Sequence, residues 1–162
     1  MAALRGAFLA LVVSRAYGFW GMDSTNCLQK DLRFGAQALV NAGFSDVCCK
    51  VPQNFAEPAG SLNKVSFWQE VEEGGRVTFY DAQCGIPLFK APKGRSMKDF
   101  KAESERHGWP SFREAEVVKK NVEIKEDGEV VSTCGTHLGH NLPDALGNRY
   151  CIDLLCIAGN PK

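Results

Sequence analysis

Apolar positions recur along this chain with two periods, one helical and one alternating. Leu32, Ala36, Leu39 and Val40 fall at helical spacing within residues 29–42, and Gly43 follows as a stop signal, so a helix is predicted there. Residues 46–51 read as a short strand closed by Pro52, and residues 54–60, with Pro58 and Gly60, as a loop. From Lys64 onward the β-prone residues Val65, Phe67, Val71, Val77 and Phe79 predict strands, with a turn at Glu72-Glu73-Gly74-Gly75. Cys84-Gly85-Ile86-Pro87-Leu88-Phe89 reads as a second turn running into a short strand. The polar stretch 98–106 predicts a short helix. Residues 117–124 and 129–132 predict a hairpin around Lys125-Glu126-Asp127-Gly128, because Asp-Gly supplies the positive φ angles of a tight turn. Residues 149–158 read as the last strand. Many short strands joined by Gly and Pro turns indicate a mainly β, mostly antiparallel domain.

The first residues follow a different pattern. Arg5 precedes an apolar run from Gly6 to Val13, followed by Ser14-Arg15-Ala16. A positive start, a short apolar core and a small-x-small site describe a signal or targeting segment over residues 1–18, leading to the secretory pathway or an organelle. A buried helix or strand at the domain's start is the rival reading. Residues 19–60 are then a helix with a connecting extension, and 61–162 the main domain. Lys+Arg and Asp+Glu both number 19, so there is no excess of basic charge for a dedicated nucleic-acid binder. No apolar run approaches the ~20 residues of a membrane-spanning helix. The seven cysteines are Cys27, Cys48, Cys49, Cys84, Cys134, Cys151 and Cys156, an odd count without any CxxC pair.

Three segments concentrate reactive side chains. In Gly147-Asn148-Arg149-Tyr150-Cys151-Ile152-Asp153, strand alternation puts Arg149, Cys151 and Asp153 on one face and Tyr150, Ile152 and Leu154 on the other, the core side. A guanidinium beside a thiol favours the nucleophilic thiolate, and the carboxylate opposes it. A small buried core cysteine is the rival reading. In Cys134-Gly135-Thr136-His137-Leu138-Gly139-His140, two imidazoles stand three residues apart and can supply a proton near neutrality. Surface histidines without a role, or a Cys2His2 zinc site made with Cys84 and Cys134, are the alternatives. In His107-Gly108-Trp109-Pro110-Ser111-Phe112, Trp109 sits in a rigid turn, where a core plug is the more usual fate than a binding wall.

Taken together, these segments resemble the methionine-R-sulfoxide reductase family, type B. The resemblance rests on residues 107–112, 134–140, Pro143-Asp144, Arg149-Tyr150-Cys151-Ile152 and the turn at 84–89, and covers about residues 60 to 158. It implies two antiparallel sheets with a few peripheral helices, and a catalytic domain over 61–162. It implies that Cys151 is the catalytic cysteine, that His137, His140 and Arg149 hold the water and charge network around the oxygen, and that Trp109 walls the methyl pocket. Phe112, Asp144 and Asp153 join Trp109 as implied substrate-binding residues. Many members bind a structural zinc through two CxxC pairs, whose first cysteines are Asp81 and Val131 here. The resemblance therefore implies no metal, with Cys84 and Cys134 as remnants lying close together, either as free thiols or as a disulfide. Asp153 stands where Asn is common, the loop from Asp144 to Arg149 is short, and a cysteine found in some members is His107, which leaves the resolving thiol unassigned.

The implied reaction is reduction of methionine R-sulfoxide, free or in proteins, through a cysteine sulfenic acid. An external thiol reductant such as thioredoxin restores the enzyme, with no bound cofactor. A non-catalytic or zinc-binding interaction module on the same β scaffold is the alternative function. The N-terminal pattern carries its own prediction. Mass spectrometry of protein from its native source is expected to find no peptide before about Tyr17 or Gly18, and an intact Met1 terminus on the mature chain would contradict it.

Overall fold

A computed structural model describes residues 27–49 and 56–162. The targeting pattern of residues 1–18 lies outside them. The chain is mainly β, with two antiparallel sheets and three α-helices among the described residues. The smaller sheet pairs β1 (Val77–Tyr80) with β2 (Pro87–Ala91). The larger sheet contains β3 (Ser111–Arg113), β4 (Val122–Ile124), β5 (Glu129–Ser132), β6 (His137–Asn141) and β7 (Arg149–Ile152), in the spatial order β3-β7-β6-β5-β4. Single bridges, Phe89 to Val117 and Tyr80 to Gly159, tie the small sheet to segments flanking the large one.

The predicted hairpin forms, with Gly128 at φ 87° in its turn, although its first strand covers only Val122–Ile124. The predicted polar helix is α3 (Met97–His107), whose start is fixed by a capping box between Ser96 and Asp99. Four predicted elements are corrected. The helix expected over 29–42 reduces to α1 (Gln37–Asn41), because Phe34 and Gly35 both adopt positive φ and turn the Phe34 ring into the core. The strand expected over 46–51 is a 3-10 turn at Ser45–Cys48, where adjacent cysteines are drawn to two different partners, Cys48 to Cys156 and Cys49 to Cys27. Val65, Phe67 and Val71 do not form a strand. Phe67–Gly74 is α2, which buries Phe67, Trp68 and Val71 at helical spacing and ends before Gly75 at φ 68°. The final strand also stops early. It ends at Ile152, and a 3-10 turn at Leu155–Ile157 follows.

An aromatic cluster fills the core. Phe34, Phe67, Phe79, Phe89, Phe100 and Phe112 are all fully buried, and Trp68 packs on Phe67 and Phe100. Phe112 packs within this cluster, stacked on Phe89 at 4.2 Å and edge-on to Phe79 at 5.1 Å. Its expected substrate-binding role is therefore corrected: its ring is buried among other rings, on the face of β3 opposite Ser111, which pairs with Cys151. Phe112→Ala is expected to cost about 3–5 kcal/mol of folding stability, read as a lower urea midpoint. A midpoint close to that of the unmodified chain would put Phe112 outside the core.

Candidate active site

Cys151 lies on β7, between β3 and β6 in the large sheet. Its register partners are Ser111 on β3 and His140 on β6. Tyr150, Ile152 and Leu154 are buried in the core, as alternation requires. Cys151 itself is half-buried and is the one free cysteine; the other six form the disulfides Cys27–Cys49, Cys48–Cys156 and Cys84–Cys134.

The two histidines reach one site through a bulge. In a regular strand, residues three apart point to opposite faces. Here Val131 pairs with His137 while Val130 pairs with Gly139, so Leu138 is an extra residue on β6. The extra step returns His140 to the face of His137, and the two rings lie 5.5 Å apart. Gly139 makes the bulge possible, with φ 139°, and a Cβ there would collide with the carbonyl oxygen of Cys151 on the neighbouring strand. Glycine is required at this position both for its backbone angle and for the close approach of β7.

His137 is held from both ring nitrogens. Nδ1 lies 2.8 Å from Glu129 Oε1, and Nε2 lies 3.4 Å from Asp153 Oδ2. Burial alone lowers its pKa, but the two carboxylates outweigh burial and hold it above the usual histidine value. Asp153 is 4% exposed, and burial raises its carboxyl pKa against the opposing pull of His137. Burial is also the largest influence on Cys151 and raises its thiol pKa. Arg149 pulls it down, while Asp153 and Glu57 add to the rise. Cys151 is thus a desolvated thiol, and the balance of Arg149 against Asp153 is secondary to its burial.

Arg149 is 8% exposed, and its Nε and Nη1 have no hydrogen-bond partner. Asp144, on the exposed loop before β7, lies 3.7 Å from Arg149 Nε and binds Arg113 at 2.8 Å. Trp109 is half-buried, and its indole N–H donates to the backbone carbonyl of Glu57 at 3.0 Å. Its ring is thus partly open to solvent and is not a fully enclosed core plug. The structure therefore brings Cys151, His137, His140, Arg149 and Asp153 together, with Asp144 at the rim and Phe112 excluded.

Glu57 belongs to the site and was not legible in the sequence. It is 1% exposed, and its carboxyl accepts the backbone N–H groups of Leu154 at 2.5 Å and Leu155 at 3.5 Å, the turn just after Asp153. Burial raises its pKa well above the usual carboxylate range, and Asp153 adds to the rise. Its only sequence signal is a lone acid in a loop with proline, which marks nothing by itself.

A family-type zinc site does not fit these residues. Asp81, Cys84 and Cys134 cluster with their ligand atoms within 4.8 Å of one another, but the two sulfurs are joined to each other, so neither offers a thiolate. Asp81 Oδ1 accepts from the Gln83 and Cys84 backbone N–H groups and from the Thr136 hydroxyl. The rival zinc site with His137 and His140 is not formed either, because both thiols are consumed and His137 is bound by carboxylates at both nitrogens.

Residues 56–161 match the family model described as the SelR domain. The chain is 36% identical over 104 residues to peptide methionine sulfoxide reductase MsrB of Leifsonia xyli subsp. xyli, an alignment covering 57% of this chain and 68% of that one. It is 34% identical over 91 residues to the protein of the same name from Thiobacillus denitrificans, covering 50% and 63%. The Methanosarcina barkeri protein of that name is 39% identical over 83 residues, covering 44% and 52%. No solved structure matches the chain significantly.

The buried groups predict a pH dependence of stability. Glu57, Asp153 and His137 all hold their protons more tightly in the folded chain than ordinary groups do. Each stabilises the fold fully below its ordinary pKa, and that contribution is lost as the pH rises through the raised folded value. Carboxylates with lowered values, such as Glu103 and Glu129, act in the other direction near and below the ordinary carboxylate range, and His107, whose pKa burial lowers, opposes the fall near the ordinary histidine value. The urea midpoint is expected to fall steadily between pH 5 and pH 8, with a shallower fall in Glu57→Gln. A midpoint that holds or rises over that range would contradict the assignment.

Proposed function

The chain belongs to the SelR domain family, and from that premise we propose that it reduces methionine R-sulfoxide to methionine with Cys151 as the nucleophile. The observation that carries the reading is the placement of the one free thiol among the described residues beside a buried arginine with unused donors and a doubly held histidine. The curated relatives match over roughly half to two thirds of their length.

The Cys151 sulfur attacks the sulfoxide sulfur as the substrate oxygen takes up a proton. His137, whose pKa Glu129 and Asp153 raise, is the acid nearest to hand, and His140 is its neighbour. Arg149 offers two free N–H groups to the oxygen as negative charge builds there. Trp109, pinned through its indole N–H, walls the methyl side of the pocket, and Asp144 borders it. Attack forms a bond between the Cys151 sulfur and the substrate sulfur. As that bond breaks, the protonated oxygen passes from the substrate sulfur to Cys151, directly or by loss as water and attack of water. Methionine leaves and Cys151 becomes a sulfenic acid, so sulfur is reduced in the substrate and oxidised in the protein.

Regeneration follows from the disulfides. With six of the seven cysteines paired, no thiol of the chain is left to condense with the sulfenic acid. An external thiol attacks it directly, releasing water and forming a mixed disulfide. A second thiol, or the second sulfur of a dithiol such as thioredoxin, releases Cys151 and leaves the reductant as a disulfide. No flavin, nicotinamide or metal is required. Three disulfides suit an oxidising compartment and agree with the targeting pattern at residues 1–18, so we place the protein in the secretory pathway or an organelle reached through it. No helix among the described residues is long and apolar enough to cross a membrane.

Two measurements test this reading. With dithiothreitol, the R sulfoxide is expected to turn over and the S sulfoxide not, with activity abolished in a folded Cys151→Ser variant. Without reductant, one round is expected to yield about one methionine and one dimedone-trapped sulfenic acid per chain. Wild-type turnover in the serine variant would reject the nucleophile, and an internal disulfide to Cys151 in place of the trapped acid would reject direct regeneration.

A further inference from the structure

Glu57 occupies a position that the reaction as described does not use. It comes from the loop before the 3-10 turn Ser61–Asn63, about fifty residues from the first motif segment, yet it reaches both sides of the site. Its carboxyl accepts the N–H groups of Leu154 and Leu155, which start the turn that ends β7 three residues after Cys151. Its backbone carbonyl accepts the Trp109 indole N–H. The same loop is tied to the Trp109 turn a second time, as Gly60 N–H donates to Gly108 C=O at 2.8 Å. A Cβ on Gly108 would press on Ala59 at 2.9 Å, so the two segments are packed as closely as backbone permits.

A buried carboxyl is a costly choice for a mere loop anchor, since desolvation disfavours its charge. Its surroundings are the other acid of the site, Asp153, and the thiol. We propose that Glu57 is a positioning residue for sulfoxide reduction: it fastens the Leu154–Leu155 turn and the Trp109 indole to one another across Cys151, and sets a second carboxyl against the thiol.

Two functions follow, and they separate by chemistry. The anchoring needs an acceptor at the length of a glutamate side chain. The electrostatic effect needs a charge. The groups that bear on Cys151 are Arg149 and Asp153 from its own segment, His140 across on β6, His137 through Asp153, and Glu57 from the loop. Of these, Glu57 alone is supplied by an element outside the large sheet and its turns. When Glu57 is ionised it disfavours the thiolate, so its removal as a charge lowers the pH at which Cys151 reacts.

The test uses the full chain with Glu57→Gln and Glu57→Asp, and it rests on the reading of Cys151 as nucleophile only in its second readout. The first readout is the pH midpoint of Cys151 alkylation, which needs no turnover. In Glu57→Gln, which keeps an acceptor for Leu154 and loses the charge, the midpoint is expected to fall by roughly half to one unit. In Glu57→Asp, which keeps the charge and shortens the reach, it is expected to stay within about a quarter unit. The second readout is R-sulfoxide turnover. The acid limb of the pH–rate profile is expected to move with the thiol in Glu57→Gln. In Glu57→Asp, kcat is expected to drop about tenfold with the limb in place. An unmoved alkylation midpoint in Glu57→Gln, or wild-type kcat in Glu57→Asp, overturns the proposal. If the unmodified chain shows no sulfoxide turnover at all, the function fails while the alkylation result still decides the role of Glu57. Should one variant not fold, the other reads out its half alone.

Discussion

The close pairing of β6 with β7 at Gly139 is the constraint from which the site follows. The Cys151 carbonyl oxygen occupies the space that any side chain at position 139 would need. That contact lets β6 carry an extra residue at Leu138 without parting from β7, and the bulge turns His137 and His140 to one face. A regular strand in the same sequence would bury one histidine and expose the other. The register that results also sets His140 opposite Cys151 and brings His137 within reach of Asp153, at 3.4 Å. Thiol, acid and carboxylate are thus placed by backbone geometry, and their side chains need little adjustment of their own.

The rest of the fold holds this register in place from below. Phe112 on β3 and Tyr150 and Ile152 on β7 anchor the inner face of the sheet in the aromatic core, so the outer face cannot slip by a residue without exposing them. The disulfides act at the ends. Cys48–Cys156 fastens the segment after α1 to the turn beyond β7, and Cys84–Cys134 joins the turn before β2 to the turn before β6. A covalent bond of this kind limits the unfolded chain. Asp81 fills the third corner by accepting two backbone N–H groups and a hydroxyl.

Burial runs through the chemistry of the site. Glu57 and Asp153 are buried acids, and Cys151 is a desolvated thiol, so burial raises the pKa of each. His137 is raised as well, because two carboxylates outweigh its burial. The two carboxyls, the imidazole and the thiol of the site therefore all hold their protons more tightly than ordinary groups do. That arrangement suits a reaction in which a leaving oxygen must be protonated while the thiol is engaged.

Local patterns in the sequence determined much of this. The alternation of Tyr150, Ile152 and Leu154 set the core side of the last strand, Asp127-Gly128 set the hairpin turn, and the three motif segments located Cys151, His137, His140, Arg149, Trp109 and Asp144. These were legible because they depend on neighbours a few residues apart. The tertiary structure decided the rest. Phe67 and Val71 are β-prone residues at a helical spacing, and packing against Phe34 and Phe79 chose the helix. Phe112 sits in a motif segment yet faces the core, a matter of which way β3 is turned by its pairing with β7. Cys84 and Cys134 were expected close together from the resemblance, and the fold joins them as a disulfide, whereas only the folded arrangement selects Cys48–Cys156 and, of the many acids in the chain, Glu57. Both join residues separated by tens of positions, and contacts of that range leave no periodic trace in a sequence.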